Sequence, residues 1–264
     1  MNTSTPAPVL FISHGAPTFA LEPSRLGPIL NKLGTTLSGI RAVLVVSPHW
    51  QTNGAVRVMS AAAPETMHDF GGFPAALYQL QYPAPGAPQL AQEVAELLTQ
   101  AGWPVQLDAQ RPLDHGAWVP LMHLLPKADV PVFQVSMPFD LNPVTAYQLG
   151  QALAPLRKQG ILVLASGNIT HNLRDFMVVR MQGGATPAYV QTFADWIHTH
   201  MTERDVPGLL AYRQQAAGQR AHPSDEHLLP LFTALGAAGE GAQPEAFYRG
   251  IYDHVIAMDG YTFH

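Results

Sequence analysis

Twelve histidines stand in a chain that has no cysteine, so a metal site here must be built from imidazole and carboxylate. Three apolar runs pass through a serine toward a histidine: Val9 to Ser13 leads into His14, Val43 to Ser47 leads through Pro48 to His49, and Ile161 to Ser166 leads on to His171. Strand ends converge in an open α/β sheet, and neutral imidazoles brought together there can hold a divalent ion. His14 and His49 are the leading pair. Segment 222–227 offers a third ligand from His222, Asp225, Glu226 and His227. Two histidines and a carboxylate suit Fe(II) and oxygen chemistry. Three histidines with an open position suit catalytic zinc. A helix starting near Ser224 would turn residues 226 and 227 about 100° apart, so only one of them would face the ion. Spacing does not choose between them.

His171 lies several residues past its strand and is expected to handle protons across the pocket, a role suited to a pKa near neutrality. His115 is a second pocket candidate, placed by Asp114 as the N-cap of a helix. His68 fits a loop surface and a pocket equally. His123, His198, His200, His254 and His264 have no supporting pattern and are expected to be structural or solvent-facing.

The elements that must position these groups alternate along the chain. Runs without polar alternation read as strands buried on both faces, at 42–47, 130–136 and 161–166, with shorter strands at 56–59 and 105–107. Pro48 is expected to end the second strand, since it cannot donate to a ladder. Helical spacing occupies 24–39, 89–101, 142–158 and 186–203, with another helix after the 222–227 cluster. Residues 61–88, rich in Ala, Pro and Gly, form a long loop of the functional-lid kind. Trp50, Phe70, Phe73, Tyr78 and Tyr82 lie in or beside it, either lining a pocket or anchoring the loop. The tail from Phe247 to Ala257 has mixed strand character, and Tyr261 and Phe263 read as a packed end rather than a cover for the site. The expected architecture is one α/β domain over 1–264, with a mostly parallel or mixed central sheet flanked by helices and the metal site at the strand carboxyl ends.

Composition narrows the function further. Apolar residues make up 47% of the 264, charged residues 12%, and the formal net charge is −5. These values describe a globular chain, and the scattered Lys and Arg form no basic stripe for nucleic acid. No run approaches the ~18 apolar residues of a membrane span. The opening Met-Asn-Thr-Ser-Thr-Pro lacks the form of a signal peptide, so the cytoplasm is the expected location. Phosphate-binding loops, nucleophile elbows and dinucleotide fingerprints are missing.

Five motifs occur here in the order found in class III extradiol aromatic ring-opening dioxygenases. They are Ser13-His14-Gly15, Ser47-Pro48-His49-Trp50, Leu113-Asp114-His115-Gly116-Ala117-Trp118, Ser166-Gly167-Asn168-Ile169-Thr170-His171-Asn172 and His222-Pro223-Ser224-Asp225-Glu226-His227. The chain most resembles the bacterial and plant 4,5-DOPA dioxygenase branch, from about residue 8 onward. The resemblance implies that His14, His49 and His227 bind one divalent metal, Fe(II) for ring cleavage or the Zn(II) seen in members of the branch. It makes His171 the acid/base group, able to serve as a fourth ligand, and His115 a second pocket histidine. Dioxygen would be the co-substrate, and a small catechol such as L-DOPA the partner. Two competing readings are a zinc hydrolase, which would work without oxygen, and a non-enzymatic binding module on the same scaffold.

Overall fold

The computed structural model describes residues 6–264; the reading of the first five residues as lacking a leader lies outside them. The strands are β1 (Val9–Ser13), β2 (Ala42–Thr52), β3 (Val56–Met59), β4 (Val105–Asp108), β5 (Val132–Pro138), β6 (Ile161–Gly167), β7 (Pro244–Tyr248), β8 (Ile251–Tyr252), β9 (Ile256–Ala257) and β10 (Gly260–Phe263). The helices are α1 (Leu26–Thr36), α2 (Pro88–Gln100), α3 (His115–Leu124), α4 (Pro143–Leu153), α5 (Leu173–Gln182), α6 (Ala188–Glu203), α7 (Val206–Leu210), α8 (Ala216–Ala221) and α9 (Leu229–Ala238).

The apolar runs do what their lack of alternation demands. β1, β5 and β6 are buried at every position, which requires cover on both faces. They join β2 as the parallel centre of an eight-stranded mixed sheet of order β4-β3-β5-β2-β6-β1-β10-β7. Antiparallel pairings of β3 with β5 and of β10 with β1 flank that centre. β8 and β9 form a separate two-stranded ribbon. The result is one α/β domain around a mixed sheet flanked by helices.

Two expectations are corrected near the site. Pro48 does not end β2, which runs on to Thr52. It is tolerated because the ladder to β5 jumps from Val46↔Val135 to Gln51↔Met137. Ser47 to Trp50 therefore form a bulge, where a missing N–H leaves no ladder bond unmade and a side chain can be re-aimed. Nor does a helix begin near Ser224. Residues 223–228 form bends and turns, and α9 starts at Leu229 with Pro230 in its first turn, a position where proline's missing N–H costs nothing.

Elsewhere α4 stops at Leu153 and a 3₁₀ segment containing Pro155 completes the stretch expected as one helix. Tyr261 and Phe263 are each 1% exposed in β10, within the core and away from any lid role. No helix among the described residues is long and apolar enough to cross a membrane.

Candidate metal centre and active site

Three elements deliver imidazoles to one point. His14 follows the last residue of β1, His49 projects from the bulge of β2, and His227 sits two residues before α9. Their ligand nitrogens all lie within 4.8 Å of one another, and His14 Nε2 is 3.2 Å from His49 Nε2. Two close approaches make the convergence possible. A Cβ on Gly116 would lie 2.3 Å from Ser47 Oγ and 3.0 Å from His49 Cδ2, so α3 can press its first turn onto the β2 bulge only with glycine there. A Cβ on Gly167 would lie 2.4 Å from the His227 carbonyl oxygen, which accepts the Asn168 N–H at 2.8 Å. Glycine at the end of β6 thus lets the His227 backbone dock on the sheet.

Outer partners orient two of the rings. Ser166 Oγ lies 2.9 Å from His14 Nδ1. Glu226 Oε1 lies 3.1 Å from His227 Nδ1, whereas Asp69 Oδ2, 3.8 Å from His49 Nδ1, is beyond hydrogen-bond reach. A carboxylate only accepts, so His227 donates from Nδ1 and keeps Nε2 as a lone pair. Orientation by carboxylate or hydroxyl is the usual support of a metal-binding histidine. Glu226 thus stands beside His227 as its hydrogen-bond partner. The strand-end serines share this supporting duty: Ser47 Oγ donates to Asp114 Oδ1 at 2.8 Å, and Ser13 Oγ to the Asp259 carbonyl at 2.8 Å.

The donor set fits one divalent ion. Two nitrogens each about 2.1 Å from an ion, at roughly 90–110°, lie roughly 3.0–3.4 Å apart, and the His14–His49 separation falls in that interval. Burial, then the neighbouring His49, His115, His227 and His171, holds His14 well below the ordinary imidazole value. Burial followed by His171, His49, His222 and His115 does the same to His227. Burial and His115 bring His49 down to about 4 against the pull of Asp114, Asp69 and Glu226. These rings stay neutral with lone pairs crowded together, an arrangement a cation relieves.

His171 stacks flat on His227, ring centroids 3.4 Å apart and planes 9° from parallel. Its pKa is not near neutrality as expected: burial lowers it to about 4, although Glu226 raises it. His115 opens α3, where Asp114 accepts the Ala117 N–H as the predicted cap. Asp69 Oδ1 lies 2.9 Å from His115 N and 3.0 Å from His115 Nδ1. Burial alone would raise the Asp69 carboxyl, but the bonds from His115 outweigh it and lower it. Sequence reasoning missed Asp69. The signal was its setting: Glu65 and Asp69 are the only charged residues in 61–88.

The other histidines and the aromatics separate. His222 is fully buried, bonds the Ile169 carbonyl at 2.8 Å through Nε2, and has no place among the clustered ligand atoms. His123 bonds the Phe19 carbonyl, His200 bonds that of Trp196, and His198 faces Tyr261; His254 and His264 are exposed. His68 is half-buried in the loop, bonded to the Leu80 carbonyl. Phe70 packs 5.7 Å from the His115 ring, with Tyr78 behind it at 5.2 Å. Phe73 lines a cavity of about 830 Å³ whose wall includes Gly15, next to His14. Tyr82 is an anchor, its hydroxyl donating to the Leu125 carbonyl at 2.9 Å, and Trp50 is buried beneath Arg111.

A family model described as the catalytic LigB subunit of aromatic ring-opening dioxygenase matches residues 24–259. The chain belongs to this family. Membership makes it an extradiol dioxygenase, an oxidoreductase of a metal-using family. The chain is similar to 4,5-DOPA dioxygenase extradiol of Beta vulgaris, at 38% identity over 96% of this chain and 95% of that one. It is similar to 4,5-DOPA dioxygenase extradiol of Escherichia coli K12, at 40% identity over 92% and 89%, and to dioxygenase tasH of Hapsidospora irregularis, at 31% over 98% and 85%. The crystal structure of protein JW3007 from Escherichia coli K12 superposes with a TM-score of 0.80, at 31% identity, over 98% of this chain and all of that one.

Proposed function

We propose that this dioxygenase opens the ring of a catechol bearing a charged side chain, such as L-DOPA, inserting both atoms of O2. His14, His49 and His227 are its metal ligands in this reading, and His171 and His115 its catalytic histidines. The observation that carries it is the convergence of three neutral imidazoles, two buried and one half-buried, with His14 backed by an orienting hydroxyl and His227 by a carboxylate. When bound, the ion supplies Lewis acidity toward phenolic oxygens and electron exchange with dioxygen, for which iron(II) is suited and zinc(II) is not.

The chain's own residues do the rest. His171, buried and neutral, holds its lone pair ready for a phenolic proton. Its flat stacking on His227 fixes the ring so that it can give the proton back at one position, and His171 can serve as a fourth ligand before substrate arrives. Phe70 and Phe73 close an apolar wall that excludes water from the ring. The cavity beyond Gly15 is lined by none of the five site histidines, and its exposed Glu22, Arg180 and Asp253 suit a tail carrying both charges rather than the reacting ring. Its setting is the cytoplasm and its partner a small molecule.

Anaerobic loading with Fe(II), addition of L-DOPA and of unsubstituted catechol, then admission of oxygen tests the reading. Oxygen uptake matched by a yellow semialdehyde product, strongest with L-DOPA, is expected. No uptake across the catechols, or equal product without oxygen, sinks it.

A further inference from the structure

One carboxylate at the site has an engagement that the roles above leave unused. Asp69 Oδ1 meets two donors of one residue, His115 N at 2.9 Å and His115 Nδ1 at 3.0 Å. The first is the opening N–H of α3, which has no partner inside its helix. Because a carboxylate offers no proton, both His115 nitrogens donate and Nδ1 carries the hydrogen. In the neutral ring the remaining nitrogen, Nε2, is then a lone pair. The His115 ring lies 3.9 Å from the His49 ring and 5.5 Å from the His14 ring, centroid to centroid. Its free nitrogen thus belongs to the same pocket as the candidate metal ligands.

We propose that Asp69 is a positioning residue that acts through His115. It locks the imidazole in the Nδ1–H tautomer, so that Nε2 accepts a hydrogen bond from a hydroxyl of the catechol. The His115 N–H can only donate and so fixes an acceptor at this point; a side chain without an oxygen at position 69 would leave both tautomers open. Asp69 also precedes Phe70, whose ring packs against the same imidazole. The identity of the hydroxyl partner rests on the ring-cleavage reading; the tautomer does not.

Long-range 1H–15N spectra of the zinc-loaded, diamagnetic protein read the tautomer directly. His115 is expected protonated at Nδ1 in the unsubstituted protein and mixed or reversed in Asp69→Ala. In the Fe(II)-loaded protein with L-DOPA, Asp69→Ala is expected to lower kcat 10–100-fold, the usual loss when an orienting partner is removed. KM should stay within about threefold, and bound metal should be unchanged. In a His115→Gln background the Asp69→Ala change should cost nothing more. An Nε2–H tautomer in the unsubstituted protein, an unaltered tautomer in Asp69→Ala, multiplicative losses in the double variant, or loss of metal would each overturn the proposal. If the unsubstituted protein cleaves no catechol, the ring-cleavage reading fails, and the tautomer still decides for or against the hold of Asp69 on His115.

Discussion

Replacing Gly167 by Ala puts the docking of His227 to the test with a single methyl group. The new Cβ would stand 2.4 Å from the His227 carbonyl oxygen and 3.2 Å from Phe11 Cε2. Carbon–oxygen contacts settle at about 3.3 Å, so the carbonyl must retreat by roughly 0.9 Å. The yielding atom is backbone, held by the 2.8 Å bond from Asn168 N, and cannot rotate away as a side-chain tip would. Overpacking of this kind costs about 1–3 kcal/mol. For a domain of this size that is a melting-temperature loss of roughly 2–10 °C, which leaves the fold intact. The effect on the site is larger in proportion, because a ~1 Å displacement of a positioned group can cost about 100-fold in rate. Zinc affinity, measured by competition with a chromophoric chelator, should fall about 10–100-fold, and L-DOPA turnover should fall with it. Gly241→Ala is the control, since nothing lies within 4 Å of its Cβ and its φ is ordinary. Normal metal affinity and turnover in Gly167→Ala would refute the claim that this approach sets the position of His227.

His171→Ala should lose at least about 100-fold in turnover while keeping its metal; metal analysis showing loss of the ion would make His171 a ligand instead. His222 has a folded pKa lowered to about 4 by burial, so its contribution to stability is complete above the unfolded value near 6.5 and is lost as pH falls from there to about 4. The loss is about 3 kcal/mol; denaturant titrations across that window should show a shallower decline for His222→Gln, and parallel curves would count against this. Arg180→Ala should raise KM for L-DOPA about tenfold and leave that for unsubstituted catechol alone; equal changes for both substrates would remove Arg180 from tail binding. Phe263→Ala should cost about 3–5 kcal/mol of stability with unchanged turnover per folded molecule; an effect on KM would restore its residue to the pocket.

What could be read from the sequence was whatever left a periodic trace. β1, β5 and β6 announce themselves because burial on both faces excludes polar residues. His14 and His49 inherit their visibility from the strands they end, and the Asp114 cap was visible in its residue type. α5 left no trace, because it buries none of its side chains and leaves Leu173, Met177, Val178 and Met181 exposed. The bulge at Pro48 was hidden for a different reason: a proline forbids a ladder bond, but only the partner strand's register shows that no bond was required there. Asp69 lies 46 residues from His115 in a loop without periodicity, so its pairing follows from the fold alone.

The position of β1 in the sheet carries a consequence for how the protein comes into being. β1 pairs on one side with β6, whose first residue is Ile161, and on the other with β10, which begins at Gly260. At about 5–20 residues per second on a ribosome, the strand that precedes His14 waits roughly 10–50 seconds for its second neighbour to be made. During that wait one edge of a largely apolar strand is open, which is the condition under which nascent chains mispair or recruit chaperones. The third proposed ligand, His227, is also made about 210 residues after His14, so a shorter nascent chain lacks part of the donor set.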